Sequence, residues 1–255
     1  MSPKLVKKLA DKKYRSETGL FIVEGEKSIK ELLASDLVVE EIHGTNMFLD
    51  LLGADIRSYE KIHGNSISLT GMHEEDLVKI GTLQTNNAGI AVVRQKLPPE
   101  LEVSLSETKK NFVLALSDVR DPGNFGTIIR IADWFGIEHI VASETTTDFY
   151  NPKTVAASMG SFTRVHVTYS SLPPFLSSAK KAGSPIIGAA LEGKNIHEGG
   201  LPKNGVLLMG SESHGIDPEL SPFISLKVTI PKFGNAESLN VSVATGILLD
   251  ALRRS

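Results

Sequence analysis

The feature that most limits what this chain can fold into is the alternation in its last 145 residues. Apolar, strand-like runs stand at 111–117, 138–143, 164–169, 185–191, 205–210 and 226–230. Helix-like stretches at 127–135, 152–159, 173–182 and the C-terminus separate most of them. Strands spaced by helices fold as a parallel sheet with helices on both faces, and such sheets bind ligands beyond the C-terminal ends of their strands. Residues 1–95 alternate too, with strand-like runs at 19–25, 36–44 and 88–95. Helical stretches there cover 26–35, with Ile29, Leu32 and Leu33 on one face, and 73–83. Residues 96–110 hold two prolines, alternating charge and little apolar content, the composition of a linker. The expected fold class is α/β, with a small domain over 1–95, a linker over 96–110 and a larger parallel-sheet domain over 111–255.

The 255 residues are 41% hydrophobic and 22% charged, enough for an ample core. Cysteine is absent, which excludes disulfides and thiolate metal sites. The seven histidines show no ligand spacing, so no metal is expected. The N-terminus is too polar for a signal peptide and no apolar run reaches transmembrane length, so a cytoplasmic protein without membrane partners is expected. A net charge of −3 by itself argues against nucleic acid. Its distribution argues otherwise, because Lys4, Lys7, Lys8, Lys12, Lys13 and Arg15 face only Asp11 in the first fifteen residues. That cluster is either a solvated helix face or a patch for phosphates.

Three loops carry the chemistry. The first, around Pro122, Gly123, Asn124 and Gly126, leads into an apolar helix that holds Arg130 in its first turns. Arginine there opposes the helix macrodipole. It either pairs with Asp133 at i,i+3 or faces an anion. The second runs from Gly210 through Glu212 to Gly215, two glycines bracketing a carboxylate, with Asp217 as N-cap of a short helix. The third, Phe233–Glu237, feeds Ser238, Leu239, Asn240 and Ser242 into an apolar terminal helix. A loop-to-helix junction presents free backbone N–H groups for a ligand. The helix is apolar on two sides, with Leu239, Val243, Ile247 and Ala251 on one and Val241, Leu248 and Leu252 on the other. One side suits the sheet and the other a second subunit, so a homodimer is expected. Neither a Walker loop nor a G-x-G-x-x-G fingerprint is present.

Taken in order, these segments resemble the three motifs of the SpoU group of RNA ribose 2′-O-methyltransferases in the SPOUT superfamily. Asn124, Gly126 and Arg130 match the first motif, Gly210, Glu212 and Gly215 the second. Ile230, Pro231 and the run Ser238–Ser242 match the third. The segment NPKTVAASMGS is similar to the stretch between motifs one and two, and the resemblance spans 111–252. Residues 12–33, with Arg15, Gly19, Glu24 and Gly25, are similar to the family's L30e-like substrate-binding domain. This chain has QTNNAG where many relatives carry Pro-Gln-Gly.

The resemblance implies a C-terminal α/β trefoil knot and S-adenosylmethionine held by backbone at Gly210, Ile230 and Leu239, with Leu191. It implies transfer of a methyl group to a ribose 2′-oxygen of structured RNA, with 23S-type ribosomal RNA favoured over transfer RNA. Arg130 would clamp a phosphate and stabilise the developing alkoxide, since arginine stays protonated. Asn124, Ser238 and Asn240 would orient the acceptor, and Glu212 would hold the loops or act as base. Within that frame Lys12, Lys13 and Arg15 become RNA contacts. Two other classes remain open: an RNA-binding assembly factor with an idle methyltransferase fold, and a nucleotide-binding α/β enzyme.

Overall fold

The computed structural model describes residues 1–211 and 213–254 and divides into two compact units. The first comprises residues 1–97 and 148–163, the second 98–147 and 164–255. The boundaries differ from a simple cut in sequence in two places. Residues 148–163, inside the expected catalytic domain, pack with the N-terminal residues. Residues 98–110, expected as a linker, belong to the second unit and form a helix there.

The first unit contains α1 (Pro3–Lys8), α2 (Lys12–Thr18), β1 (Leu20–Glu24), α3 (Glu26–Leu33), β2 (Val39–Gly44), α4 (Asn46–Leu51), α5 (Gly53–His63), β3 (Ser68–Gly71), α6 (Glu74–Ile80) and β4 (Gly89–Arg94). Its sheet runs β1-β4-β2-β3, antiparallel except between β2 and β3. Ile22, Ile90 and Val92 meet Val6 and Leu9 of the N-terminal segment and Leu77 and Ile80 of α6 in one core. Strand side chains alternate between faces, so Phe21 points the other way, with its ring tilted against Tyr150 and edge-on to Phe162 of the 148–163 segment. Tyr150 fastens that segment further. Its hydroxyl accepts from the Lys96 N–H and donates to the Lys96 carbonyl, both at 3.0 Å, and burial pushes its pKa up to about 12.

The second unit contains α7 (Leu101–Glu107), β5 (Phe112–Leu116), α8 (Pro122–Trp134), β6 (His139–Ala142), β7 (His166–Tyr169), α10 (Leu172–Lys181), β8 (Ile186–Asn195), β9 (Gly205–Met209), β10 (Leu226–Thr229) and α11 (Val241–Arg253); α9 (Pro152–Ser158) belongs to the first. The sheet order is β10-β8-β9-β5-β6-β7, and every neighbouring pair is parallel, as the alternation required. Val113, Ala115, Val141, Val206 and Leu208 face α10, joined by Leu101 and Leu105 of α7. That apolar pair explains why the supposed linker folds: its two leucines are four residues apart and share a helix face. On the opposite face α8 and α11 pack together, and the Arg253 guanidinium lies over the Phe112 ring. The chain lays β5, β6 and β7 outward on one side, then returns to lay β8, β9 and β10 on the other. The reversal falls between β5 and β9.

Two expectations about charge and helix start change. Arg15 is not a surface cation: only 2% of it is exposed. Its Nη1 donates to the carbonyls of Leu9 and Ala10, each at 2.9 Å, and its Nε donates to Asp148 at 3.1 Å. Burying a guanidinium is costly unless it is paired and hydrogen-bonded, and these partners satisfy it. Lys12 and Lys13 are exposed. Helix α8 begins at Pro122 rather than at 127 because Asp121 caps it and proline suits the first helical position. Arg130 therefore sits in its third turn, beyond the reach of the N-terminal dipole.

Replacing Arg15 with methionine leaves Asp148 and two carbonyls without their donor. A loss of about 3 kcal/mol or more is expected, seen as a lower urea midpoint. An unchanged midpoint would show that the guanidinium does not hold this unit together.

Candidate active site

The site lies at the C-terminal edge of the six-stranded sheet, where the strand order reverses and a crevice is expected. Three loops meet there, all within the second unit.

The first leaves β5. The Ser117 N–H donates to the Met209 carbonyl at 2.9 Å, extending the pairing with β9 by one residue. Asp118 then takes a left-handed backbone (φ 60), and its N–H donates to Ser143 Oγ at 2.9 Å. Asp121 closes the turn as N-cap of α8, accepting the Asn124 N–H at 2.7 Å. Arg120 Nε donates to Asp118 Oδ1 at 2.8 Å, and that bond holds the Asp118 carboxyl below its ordinary pKa.

The second loop leaves β9. Ser211 and Gly215 exchange backbone hydrogen bonds of 2.9 and 3.0 Å, and Gly215 is left-handed (φ 68). Gly210 has no room for a side chain, since a Cβ there would stand 2.0 Å from the Gly215 carbonyl carbon. This explains both glycines around the expected carboxylate. Glu212 itself lies outside the described residues. Asp217 caps the following turn by accepting the Glu219 N–H at 2.9 Å, as its spacing suggested.

The third loop leaves β10. Thr229 Oγ1 donates to the Leu191 carbonyl at 2.9 Å. Leu191 stands in a stretch, 189–193, that leaves the β8–β10 ladder between the pairs Gly188–Lys227 and Lys194–Val228. Gly210 directly follows β9 and Ile230 directly follows β10, and the Thr229 bond ties the latter end to Leu191. Leu239 is half exposed just ahead of α11. Asn240 caps α11: its Oδ1 accepts the N–H groups of Ser242 and Val243 at 3.0 and 3.3 Å and the Ser242 hydroxyl at 2.6 Å. Its Nδ2 donates to Asn124 Oδ1 at 2.9 Å. That bond joins residues 116 positions apart and brings the first and third loops together.

Arg130 is exposed on α8, on the same face as Gly123, Thr127 and Trp134 by helical spacing. Pairing with Asp133 is not what holds it. The Arg164 guanidinium takes that carboxylate, Nε to both oxygens at 3.1 and 3.0 Å and Nη2 at 2.8 Å. Among the described residues Arg130 and Ser238 make no side-chain hydrogen bond, so both are available to a ligand. Between the first two loops lies a cleft lined by Asp118, Arg120, Asp121, Ser211, Ser213 and His214. Composition and motif spacing did not single out Asp118 or Arg120. Their signal was a run of charged residues directly after a buried strand. Among the described residues no group of three or more acidic or histidine side chains could hold a metal, and no helix is long and apolar enough to cross a membrane.

Residues 111–250 match the model of the SpoU rRNA Methylase family, and residues 3–91 that of the MRM3-like substrate binding domain. The chain belongs to the SpoU family. It is 34% identical, over 97% of its length and 94% of the relative's, to the 23S rRNA (guanosine(2553)-2′-O)-methyltransferase RlmP of Bacillus subtilis. The 23S rRNA (uridine(2479)-2′-O)-methyltransferase of Streptomyces viridochromogenes shares 29% over 70% of this chain and 64% of its own. Among solved structures, the AdoMet-bound rRNA methyltransferase of Sinorhizobium meliloti superposes with a TM-score of 0.83 at 29% identity, covering 99% of this chain and 94% of that one. A TrmH-family putative RNA methyltransferase of Porphyromonas gingivalis gives 0.82 at 33% identity, covering 99% and 96%. The matched stretch 111–250 thus takes in the three loops that meet at the sheet edge.

Gly210→Ala is expected to destabilise this SpoU unit by about 1–3 kcal/mol, the cost of forcing atoms into filled space. Gly234→Ala, with nothing within 4 Å of its added methyl, should leave the melting temperature unchanged. Equal melting of the two variants would mean that the Gly210–Gly215 approach is not needed.

Proposed function

We propose that this chain transfers a methyl group from S-adenosylmethionine to a ribose 2′-oxygen in large-subunit, 23S-type ribosomal RNA. The observation that carries the reading is the Asn124–Asn240 hydrogen bond, which joins SpoU motifs one and three at the sheet's switch point. The AdoMet-bound relative supports the cofactor and the B. subtilis relative supports the RNA.

The sheet edge suits the cofactor. Gly210 keeps side chains out of the β9 turn, and exposed Leu191 and half-exposed Leu239 offer apolar surface beside main-chain groups. Leu191, Gly210, Ile230 and Leu239 would hold it there. Bound S-adenosylmethionine supplies a methyl on a sulfonium, already a good donor, so the protein's work lies with the acceptor. Arg130 carries a permanent charge. It clamps the phosphate next to the target and stabilises the oxyanion as the 2′-hydroxyl loses its proton to that phosphate or to water. Asn124, held in place by Asn240, and Ser238 orient the ribose. Lys12 and Lys13, exposed on the substrate-binding unit, contact RNA phosphates.

The same reading includes the trefoil knot, a cytoplasmic setting and a homodimer. The dimer is supported by an uncovered apolar stripe: Val243 is 50% and Ile247 37% exposed on α11, and Trp134 is 84% exposed on the neighbouring helix. Exposed apolar side chains on these two packed helices suit a subunit interface.

Incubation with labelled S-adenosylmethionine and RNA from cells lacking the protein is expected to label 23S rRNA at a 2′-oxygen. Arg130→Ala should bind the cofactor normally in calorimetry and lose turnover by about two to three orders of magnitude. Normal turnover would remove Arg130 from the chemistry. Ile247→Lys should halve the mass seen in sedimentation. A monomeric wild type would dispose of the dimer.

A further inference from the structure

The cleft between the first two loops has no part in the chemistry above, yet it abuts it. Asp121, on its wall, holds the backbone N–H of Asn124. Its two carboxylates differ in duty. Asp121 is committed to capping α8, whereas Asp118 accepts from Arg120 Nε beside the Thr145 hydroxyl, and its two oxygens keep further lone pairs. Asp118 is one of two non-glycine residues with positive φ among the described residues. Such a conformation persists where the surroundings fix it, and here Ser143 holds its N–H. An aspartate is ionised at neutral pH, so this carboxylate acts only as an acceptor. Arg120 Nη1 and Nη2 make no hydrogen bond among the described residues and remain as donors beside it.

An acceptor pair flanked by a donor matches one nucleobase edge. Guanine presents N2–H, N1–H and O6 in that order. Adenine, cytosine and uracil each offer a single donor with an acceptor next to it, which a carboxylate repels. A phosphate fits worse, since both Asp118 and Asp121 would oppose it. Unpaired RNA bases are read along their Watson–Crick edges in this way. We infer that Asp118 and Arg120 form a guanine-reading subsite that selects the nucleotide to be methylated, with Asp118 accepting from N1–H and N2–H and Arg120 donating to O6. The inference rests on the proposed activity and adds base identity to it. Family membership does not fix that identity, since the relatives named above act on guanosine and on uridine.

The test begins with RNA from cells lacking the protein, methylated in vitro, digested to nucleosides and analysed by mass spectrometry. 2′-O-methylguanosine is the expected product, and any other 2′-O-methyl nucleoside as the main product overturns the inference. An oligonucleotide spanning the mapped position is then compared with its inosine counterpart, which lacks the N2 amino group. Wild type should prefer guanosine about tenfold in kcat/KM. Asp118→Asn tolerates the left-handed backbone and should bring that preference close to one with cofactor affinity unchanged. Equal use of guanosine and inosine by wild type sinks the subsite while leaving methyl transfer intact. If no RNA is methylated, the proposed activity fails, and the cleft is judged alone by NMR titration with GMP, IMP and AMP. Selective GMP shifts near Asp118 sustain the subsite; equal shifts refute it.

Discussion

Asn240 does two jobs with one side chain. Its oxygen closes the open N-terminus of α11, and its nitrogen reaches across to Asn124 on α8. A cap of this kind contributes about 1 kcal/mol, and a single neutral hydrogen bond about as much. Neither is large beside the burial of Leu248, Leu249 and Leu252 that seats the helix. Their weight is geometric. Apolar burial is non-directional and tolerates small sliding, whereas a cap and a cross-bond fix where the helix begins. The third loop is thereby registered against the first, and Asn124 and Asn240 stand at one place.

The second constraint is steric. Gly210 meets the Gly215 carbonyl so closely that the β9 turn has one solution. Together the two constraints leave main-chain groups and polar side chains facing the crevice, and leave Arg130 without an intramolecular partner among the described residues. An unpaired arginine on a helix face is ordinary on a surface. In the proposed reaction, beside a crevice rimmed by capped helix ends, it is the charge that meets an anion. The contrast with Arg15 is instructive. Both arginines lie in stretches that sequence logic associated with RNA or anions. One is spent inside the first unit on two carbonyls and Asp148, and the other faces solvent.

Much of this was legible in the chain. The alternation of apolar runs gave the parallel sheet, because strand and helix periods are local properties. The three loops, their glycines and the Asp217 cap were legible for the same reason. The fate of 98–110 was not, since prolines and alternating charge hid the Leu101–Leu105 pair that packs α7 onto the second unit. The start of α8 was misplaced because Pro-Gly-Asn reads as a turn until Asp121 is seen to cap it. The duties of Arg15, Asp133 and Asp118 were beyond reach, because each depends on a partner or a backbone angle set elsewhere.

By itself, the sequence determined the α/β class, the order of the motifs and the chemical character of the residues that carry them. These follow from short-range patterns of size, charge and backbone freedom. The tertiary structure decided which copies of the same residue type are structural and which are available. It also decided that 148–163 folds with the N-terminal unit and that Asp118 and Arg120 face a cleft at the switch point. Burial and pairing are properties of neighbours brought together across the whole chain, and no local pattern encodes them.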